Sequence, residues 1–213
     1  MEKSLRELDE ANIELSKSIL NLHNSVTVYS IIGLNAKRIK KGRTFLGFVQ
    51  QQQVEFIAIG FSKIFEREKT YRLNSIPSIL RFIEHNGIVP TDPHAVSEYL
   101  GNSRNEKGES WFRDLKRMCD NQYSKYKGEI RRIKEARNTR NAHSQVGAPR
   151  KDLPSVAVFQ ELLALAFGFH DFINSAFINT HSHPILTDTL TQTSLVNVLC
   201  AIGVSNVTTA WPD

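Results

Sequence analysis

The segment Arg137-Asn138-Thr139-Arg140-Asn141-Ala142-His143-Ser144 joins two side chains with complementary chemistry. Histidine titrates near neutrality, so His143 can give or take a proton at pH 7. The guanidinium of Arg137 is a permanent forked cation that suits phosphate oxygens, and Asn138 sits beside it. One group that moves protons and one that holds phosphate charge form a minimal kit for cleaving RNA without a metal. The ribose 2′-OH supplies the nucleophile. The nearby Arg137 and Arg140 favour the neutral imidazole, which suits a general base.

Spacing restricts how these residues meet. Six positions along an ideal helix leave Arg137 and His143 about 120° apart and about 9 Å along the axis. Either the backbone changes direction between them, or the pair converges with the copy on a second chain. Arg140 and His143, three apart, share a face more easily. The same Arg, Asn and His also stabilise a helix C-terminus through its dipole, so spacing alone leaves both roles open.

Other chemistries lack their residues. The chain has no Gly-rich phosphate loop ending in Lys-Ser/Thr, no G-x-G-x-x-G, no H-E-x-x-H and no G-x-S-x-G. His181 and His183 have no clear third ligand and read as a polar loop before Pro184, so no metal site and no cofactor are expected. Cys119 and Cys200 suggest neither a disulfide framework nor a zinc site. The basic run Lys37, Arg38, Lys40, Lys41 and Arg43, closed by Gly42, reads as a helix terminus and turn. With Arg131, Arg132, Arg140 and Asn141 it is a candidate RNA-binding set.

These residues need elements to position them. The chain has 213 residues, 27 Lys plus Arg against 22 Asp plus Glu, a net charge of +5 and a hydrophobic fraction of 40%. Disordered, collagen-like and polytopic membrane classes are excluded. The apolar stretch 156–177 is interrupted by Gln160, Glu161, His170, Asp171 and Asn174, unlike a membrane span. The acidic, polar N-terminus is not a signal or transit peptide. A soluble, reducing, cytoplasmic setting is expected. Gly (11) and Pro (7) are scarce, which favours helices over all-β folds.

Periodicity supplies those helices. Leu5, Leu8, Asn12, Leu15, Ile19, Leu22, Val26 and Tyr29 repeat at threes and fours, predicting a helix from about Ser4 past Ile31 with a coiled-coil-like seam. Asn12 is expected near a frayed end and facing water, the alternative being a polar residue that fixes register. A second helix capped by Thr44 carries Phe45, Phe48, Val49, Phe56, Ile59 and Ile64, and Gly60 lets a neighbour approach. Ser75 with Pro77 starts a third helix, and Asp92-Pro93 a short fourth. One long helix is expected from about Glu109 to Arg137, with Trp111, Leu115, Met118, Gln122, Tyr126, Ile130, Ile133 and Arg137 as its stripe, which puts the Arg137 guanidinium on the packed side, where a charge is costly unless paired or functional. Another follows over about 154–177, and a weakly specified one lies within 186–202.

The eight-residue segment resembles the R-x(4–6)-H signature of the HEPN superfamily, and its R-N-x-x-x-A-H-S form is especially similar to the AbiU-type branch linked to abortive phage infection. Leu73-Asn74-Ser75-Ile76-Pro77-Ser78-Ile79-Leu80 is similar to a short-helix element of that branch, so the resemblance covers roughly residues 27–176. It implies an all-α, up-and-down helical bundle with additional N- and C-terminal helices. Residues 1–179 would form the HEPN-like domain and 180–213 a C-terminal extension. It implies a homodimer with a metal-independent endoribonuclease site at the dimer interface, where Arg137 and His143 are the motif pair and Asn138 the accompanying polar residue. RNA is the implied substrate, and a small nucleotidyltransferase-like antitoxin a candidate partner. Other members of the superfamily do no chemistry and bind nucleotides or proteins, which is the alternative for this chain.

Overall fold

Helix α1 (Glu2–Asn35) is the axis of the structure, a computed structural model that describes residues 2–67, 75–101, 111–142, 154–178 and 188–209, except the side chains of 137–142 and 188–190. Around it stand α2 (Arg43–Phe65), α3 (Ile76–Asn86), α4 (Pro93–Leu100), α5 (Trp111–Lys125), α6 (Lys127–Ala142), α7 (Val156–Ile173) and α8 (Asp188–Ala201). A single π-turn, Asn174–Ile178, extends α7. Every regular element among the described residues is helical, so the chain is all-α.

The seam of α1 is consumed inside the bundle. Leu8, Leu15, Ile19, Leu22 and Val26 are at most 2% exposed and pack with residues of α2, α3, α6 and α7. The coiled-coil-like seam is therefore satisfied within the chain, where α2 and α7 cover it, and offers no bare surface to a second copy. Gly60 serves as expected: a Cβ there would stand 3.0 Å from Leu22 Cδ1, so its absence lets α1 and α2 approach.

Asn12 also departs from expectation. It is 1% exposed, and its Nδ2 donates to Asn174 Oδ1 at 2.7 Å and to the His170 carbonyl at 3.4 Å. Asn174 Nδ2 in turn lies 3.2 Å from His170 Nδ1. The frayed-end reading fails because α7 and its π-turn cover this stretch of α1.

Two starts follow the residues that cap them. Ser75 accepts from Ser78 N, and Asp92 Oδ1 accepts from His94 N and Ala95 N, each ahead of a proline in the first turn. Gly87 and Gly101 close these helices in the left-handed conformation that glycine adopts at least cost. Helix α2 starts at Arg43 rather than after Thr44, with left-handed Gly42 at its cap position. The long helix expected over 109–137 is two. They meet at Tyr126, with Gly128 just beyond, and the second runs on to Ala142. The stripe keeps its register across the junction, since Leu115, Tyr126, Ile130 and Ile133 are all buried.

Helix α8 packs on the C-terminal half of α1. Leu199 and Val204 join Ile31, Ile32, Ile39 and Leu46 in a second, smaller core. Asn35 ties the chain end down, donating to the Thr208 carbonyl at 2.9 Å and accepting from Thr208 N at 3.0 Å. Residues 156–178 are long and apolar enough to cross a membrane, but Phe159, Leu162, Leu163, Ala166, Phe169 and Ile173 are buried in the bundle.

Candidate functional site

Helix α6 carries Arg137 to Ala142 of the motif, and its first three turns are firmly held. Ile130, Ile133 and Ala136 are buried. Tyr126 donates a short hydrogen bond to Glu161 of α7, and Lys125 Nζ lies 3.5 Å from the same carboxylate. The Tyr126 hydroxyl first, then Lys125, hold the Glu161 carboxyl below its ordinary range. Farther along, Lys134 Nζ sits 3.7 Å from Oε1 of the buried Glu66, at the end of α2. The Glu66 carbonyl accepts from Ser75 Oγ, so α6, α2 and the start of α3 are tied at one point.

Arg137, Asn138, Arg140 and Asn141 follow directly, on the last turns of α6. Helical backbone through Ala142 removes the option of a change in direction between residues 137 and 142. His143 lies outside the described residues, as do His181 and His183. Arg131 is exposed, 3.6 Å from Glu135, and Arg132 is exposed beside it.

The other basic candidates cluster at the α1–α2 turn. Lys37, Lys40, Lys41 and Arg43 are exposed, and the buried Ile39 anchors the turn among them. Arg38 has a structural engagement: its guanidinium donates to the Asn206 carbonyl at 2.5 Å and to Thr208 Oγ1 at 3.2 Å.

A family model described as AbiU2, of HEPN type, matches residues 6–191. The chain belongs to the AbiU2 family of HEPN proteins. No curated protein and no solved structure matches it significantly. The match takes in the whole of α6 and the Arg137–His143 segment, so the AbiU2 assignment and the motif concern the same part of the bundle.

Two further features of this AbiU2 family member escape motif reading. A cavity of about 300 Å³ opens between α3 and α5, floored by Phe65, Leu165 and Phe169. Its mouth carries Arg67, whose guanidinium lies 2.7 Å from Asp120 and stacks 3.8 Å over the Tyr123 ring. Lys116 reaches Glu84 across the same opening at 3.4 Å. Cys119 lines the wall, and burial pushes its thiol up to about 12. Helices α3 and α5 each show a clear apolar stripe in sequence, but nothing in either stripe announces that the two stand apart.

The second feature is on α2. Phe45, Phe48 and Phe56 are each more than half exposed, and Ile59 is 44% exposed. The sequence shows α2 as apolar nearly all round, which does not say which face is left uncovered. Among the described residues no three of His, Cys, Asp and Glu gather as a metal site.

Proposed function

We propose that this chain is a metal-independent endoribonuclease of toxin or phage-defence type, acting in the cytoplasm as a homodimer. The observation that carries the reading is the sequence Arg137-Asn138-x-x-x-x-His143, which begins on the last turns of α6 in an AbiU2-family bundle. Because the backbone stays helical through Ala142, convergence with a second copy is the favoured way to bring complementary groups together.

In this reading His143 takes the proton of the 2′-OH, and the 2′-oxygen attacks the adjacent phosphorus. The bond to the 5′-oxygen breaks, leaving a 2′,3′-cyclic phosphate, and an acid protonates the leaving oxygen. The second copy's histidine supplies that acid, or the two exchange roles. Arg137 stabilises the charge on the phosphorane oxygens, worth roughly 3–4 kcal/mol by analogy with oxyanion donors. Asn138 orients Arg137 or the phosphate through hydrogen bonds. Arg140, Asn141, Arg131 and Arg132, with Lys37, Lys40, Lys41 and Arg43, hold the RNA backbone. Binding to single strands weakens with salt at a log–log slope of about −0.7 per phosphate neutralised. A small nucleotidyltransferase-like protein is the antitoxin partner this reading expects, and co-expression relieving toxicity tests that point.

The test is cleavage of single-stranded RNA in EDTA by wild type, His143→Ala and Arg137→Lys. Proton transfer contributes about 10²–10⁴-fold, so His143→Ala loses activity by that order with the fold intact. Arg137→Lys fails as well, because an ammonium cannot reproduce the fork. A wild type inactive on every RNA, or a His143→Ala variant that cleaves equally well, defeats the enzymatic reading. The cavity between α3 and α5 then favours a non-catalytic module, since an apolar floor below a mouth of polar and charged side chains suits a small ligand.

A further inference from the structure

Helix α2 buries one face and leaves the opposite one apolar and bare. Leu46, Val54, Ile57, Phe61 and Ile64 face the core. At 100° per residue, Phe45, Phe48, Gln52, Phe56 and Ile59 fall within about 80° of arc on the other side. Phe45 is 67% exposed, Phe48 62% and Phe56 56%. With about 200 Å² per ring, these three leave roughly 370 Å² of apolar surface in water, as much as the largest patch on an ordinary monomer.

The order of these residues reads the same from either end. Phe48 and Phe56 stand four positions either side of Gln52, and Phe45 and Ile59 seven positions either side. A two-fold axis through Gln52, perpendicular to the helix, therefore lays α2 antiparallel on a copy of itself. Phe48 meets the partner's Phe56, Phe45 meets the partner's Ile59, and Gln52 meets its own copy. The carboxamide is self-complementary, donating through its NH₂ and accepting through its carbonyl. A single polar residue at such an axis fixes register. Beside this stripe a cavity of about 410 Å³ opens between Asn21 and Ser25 of α1 and Gln53, Phe56, Ile59 and Gly60 of α2. In that pairing the partner's Phe45 ring would arrive at its mouth.

We infer that α2 is the contact surface through which two copies of this chain associate, as an antiparallel helix pair centred on Gln52. The mirrored spacing, the central amide and the receiving cavity are features that a lipid surface or an unrelated protein would not require. From both copies the three phenylalanines supply roughly 740 Å², about half of what a standard interface buries. The inference gives the homodimer proposed above its surface, and it does not depend on RNA cleavage.

Mass by light scattering at micromolar concentration, together with cross-linking of the full chain, tests it. The wild type is expected at twice 24.2 kDa. Phe48→Glu and Phe56→Arg are each expected to be monomeric with unchanged helical circular dichroism. The double variant regains the dimer, because the carboxylate introduced at position 48 faces the guanidinium introduced at position 56 of the other copy. Helix axes 8–10 Å apart, with Cα atoms about 2.3 Å off axis, leave residue 52 and its copy about 3–5 Å apart at Cα, a span that overlaps disulfide reach. Gln52→Cys, with Cys119 and Cys200 replaced, is thus expected to cross-link under mild oxidation. Ile13→Cys, exposed on α1 and away from the stripe, serves as control and does not. The cross-link decides the matter should the charged variants fail to fold. Dimers unaffected by every variant would overturn this inference and leave the homodimer standing. A wild type of 24.2 kDa that pellets only with vesicles, or stays alone, would overturn both.

Discussion

Replacing Asn12 and Asn174 separately and together tests the polar cluster that joins α1 to the π-turn after α7. Asn12 Nδ2 makes a 2.7 Å hydrogen bond to Asn174 Oδ1 where both residues are at most 6% exposed, and it also reaches the His170 carbonyl. Leucine at position 12 keeps the volume but leaves Asn174 Oδ1 without that donor in an apolar setting. Removing one partner of a buried hydrogen bond costs about 1–3 kcal/mol. The Asn12 carbonyl oxygen has no partner of its own, so its removal offsets part of that cost and places Asn12→Leu near the lower half of the range. Asn174→Leu also forfeits the approach to His170 Nδ1 and belongs in the upper half. With both replaced, no donor or acceptor of this pair is left facing its lost partner. The double variant is therefore expected to cost about 1 kcal/mol less than the sum of the singles, within the range for groups in direct contact. Urea unfolding by circular dichroism at one protein concentration gives the midpoints. At this length each 1 kcal/mol corresponds to about 2–4 °C in Tm. Additivity within about 0.3–0.5 kcal/mol would refute the reasoning, because it would mean that the two amides do not depend on each other.

The thiols give a second check. With its pKa at about 12, Cys119 has on the order of 10³-fold less thiolate at pH 8 than an ordinary cysteine, so it should react far more slowly than the exposed Cys200 in a disulfide-exchange assay. The raised value also means that the folded state holds its proton where the unfolded chain releases it. Stability from this group is complete below about pH 8.5 and declines as pH rises toward 12, a slope that Cys119→Ala should remove in denaturation series between about pH 8.5 and 10. Gly60→Ala pushes a methyl to 3.0 Å from Leu22 Cδ1, and crowding of about 1–3 kcal/mol set against a helix-propensity gain of about 1 kcal/mol gives a net loss of up to about 2 kcal/mol; a midpoint that rises would contradict it. Asp92→Ala removes the acceptor for His94 N and Ala95 N and should lower stability by about 1 kcal/mol, read from the thermal midpoint against Asp92→Asn.

Local signals with a stereochemical cause are legible in the sequence. Ser75, Asp92, Pro77, Pro93, Gly87 and Gly101 each fix a helix end by a hydrogen bond or a backbone angle available within a few residues, so α3 and α4 can be placed without tertiary context. The stripe through Leu115, Tyr126 and Ile133 reads as one buried face, as the structure has it. The break at Tyr126 is hidden, because a junction that keeps the register leaves the periodicity intact. Asn12 misleads for a related reason. Its partners lie 158 and 162 positions away, and nothing in α1 tells that Asn174 will arrive there. The resemblance carried by Arg137 to Ser144 is legible, and the family assignment agrees with it. What holds α6 in place is not, since the contacts of Lys134 with Glu66 and of Tyr126 with Glu161 depend on how α2 and α7 dock.

The central position of α1 imposes an order on how the chain matures. Its apolar seam leaves the ribosome well before α7, which covers Asn12 and lies about 150 residues later, and the Asn35–Thr208 tie joins residues 173 positions apart. At roughly 5–20 residues per second, the seam waits on the order of ten to thirty seconds for its cover. During that interval the nascent chain can pair α1 with α2 but leaves the α7-facing side of the seam uncovered. Chaperone dependence in the cell, and aggregation of fragments truncated before α7, follow from where the first helix sits.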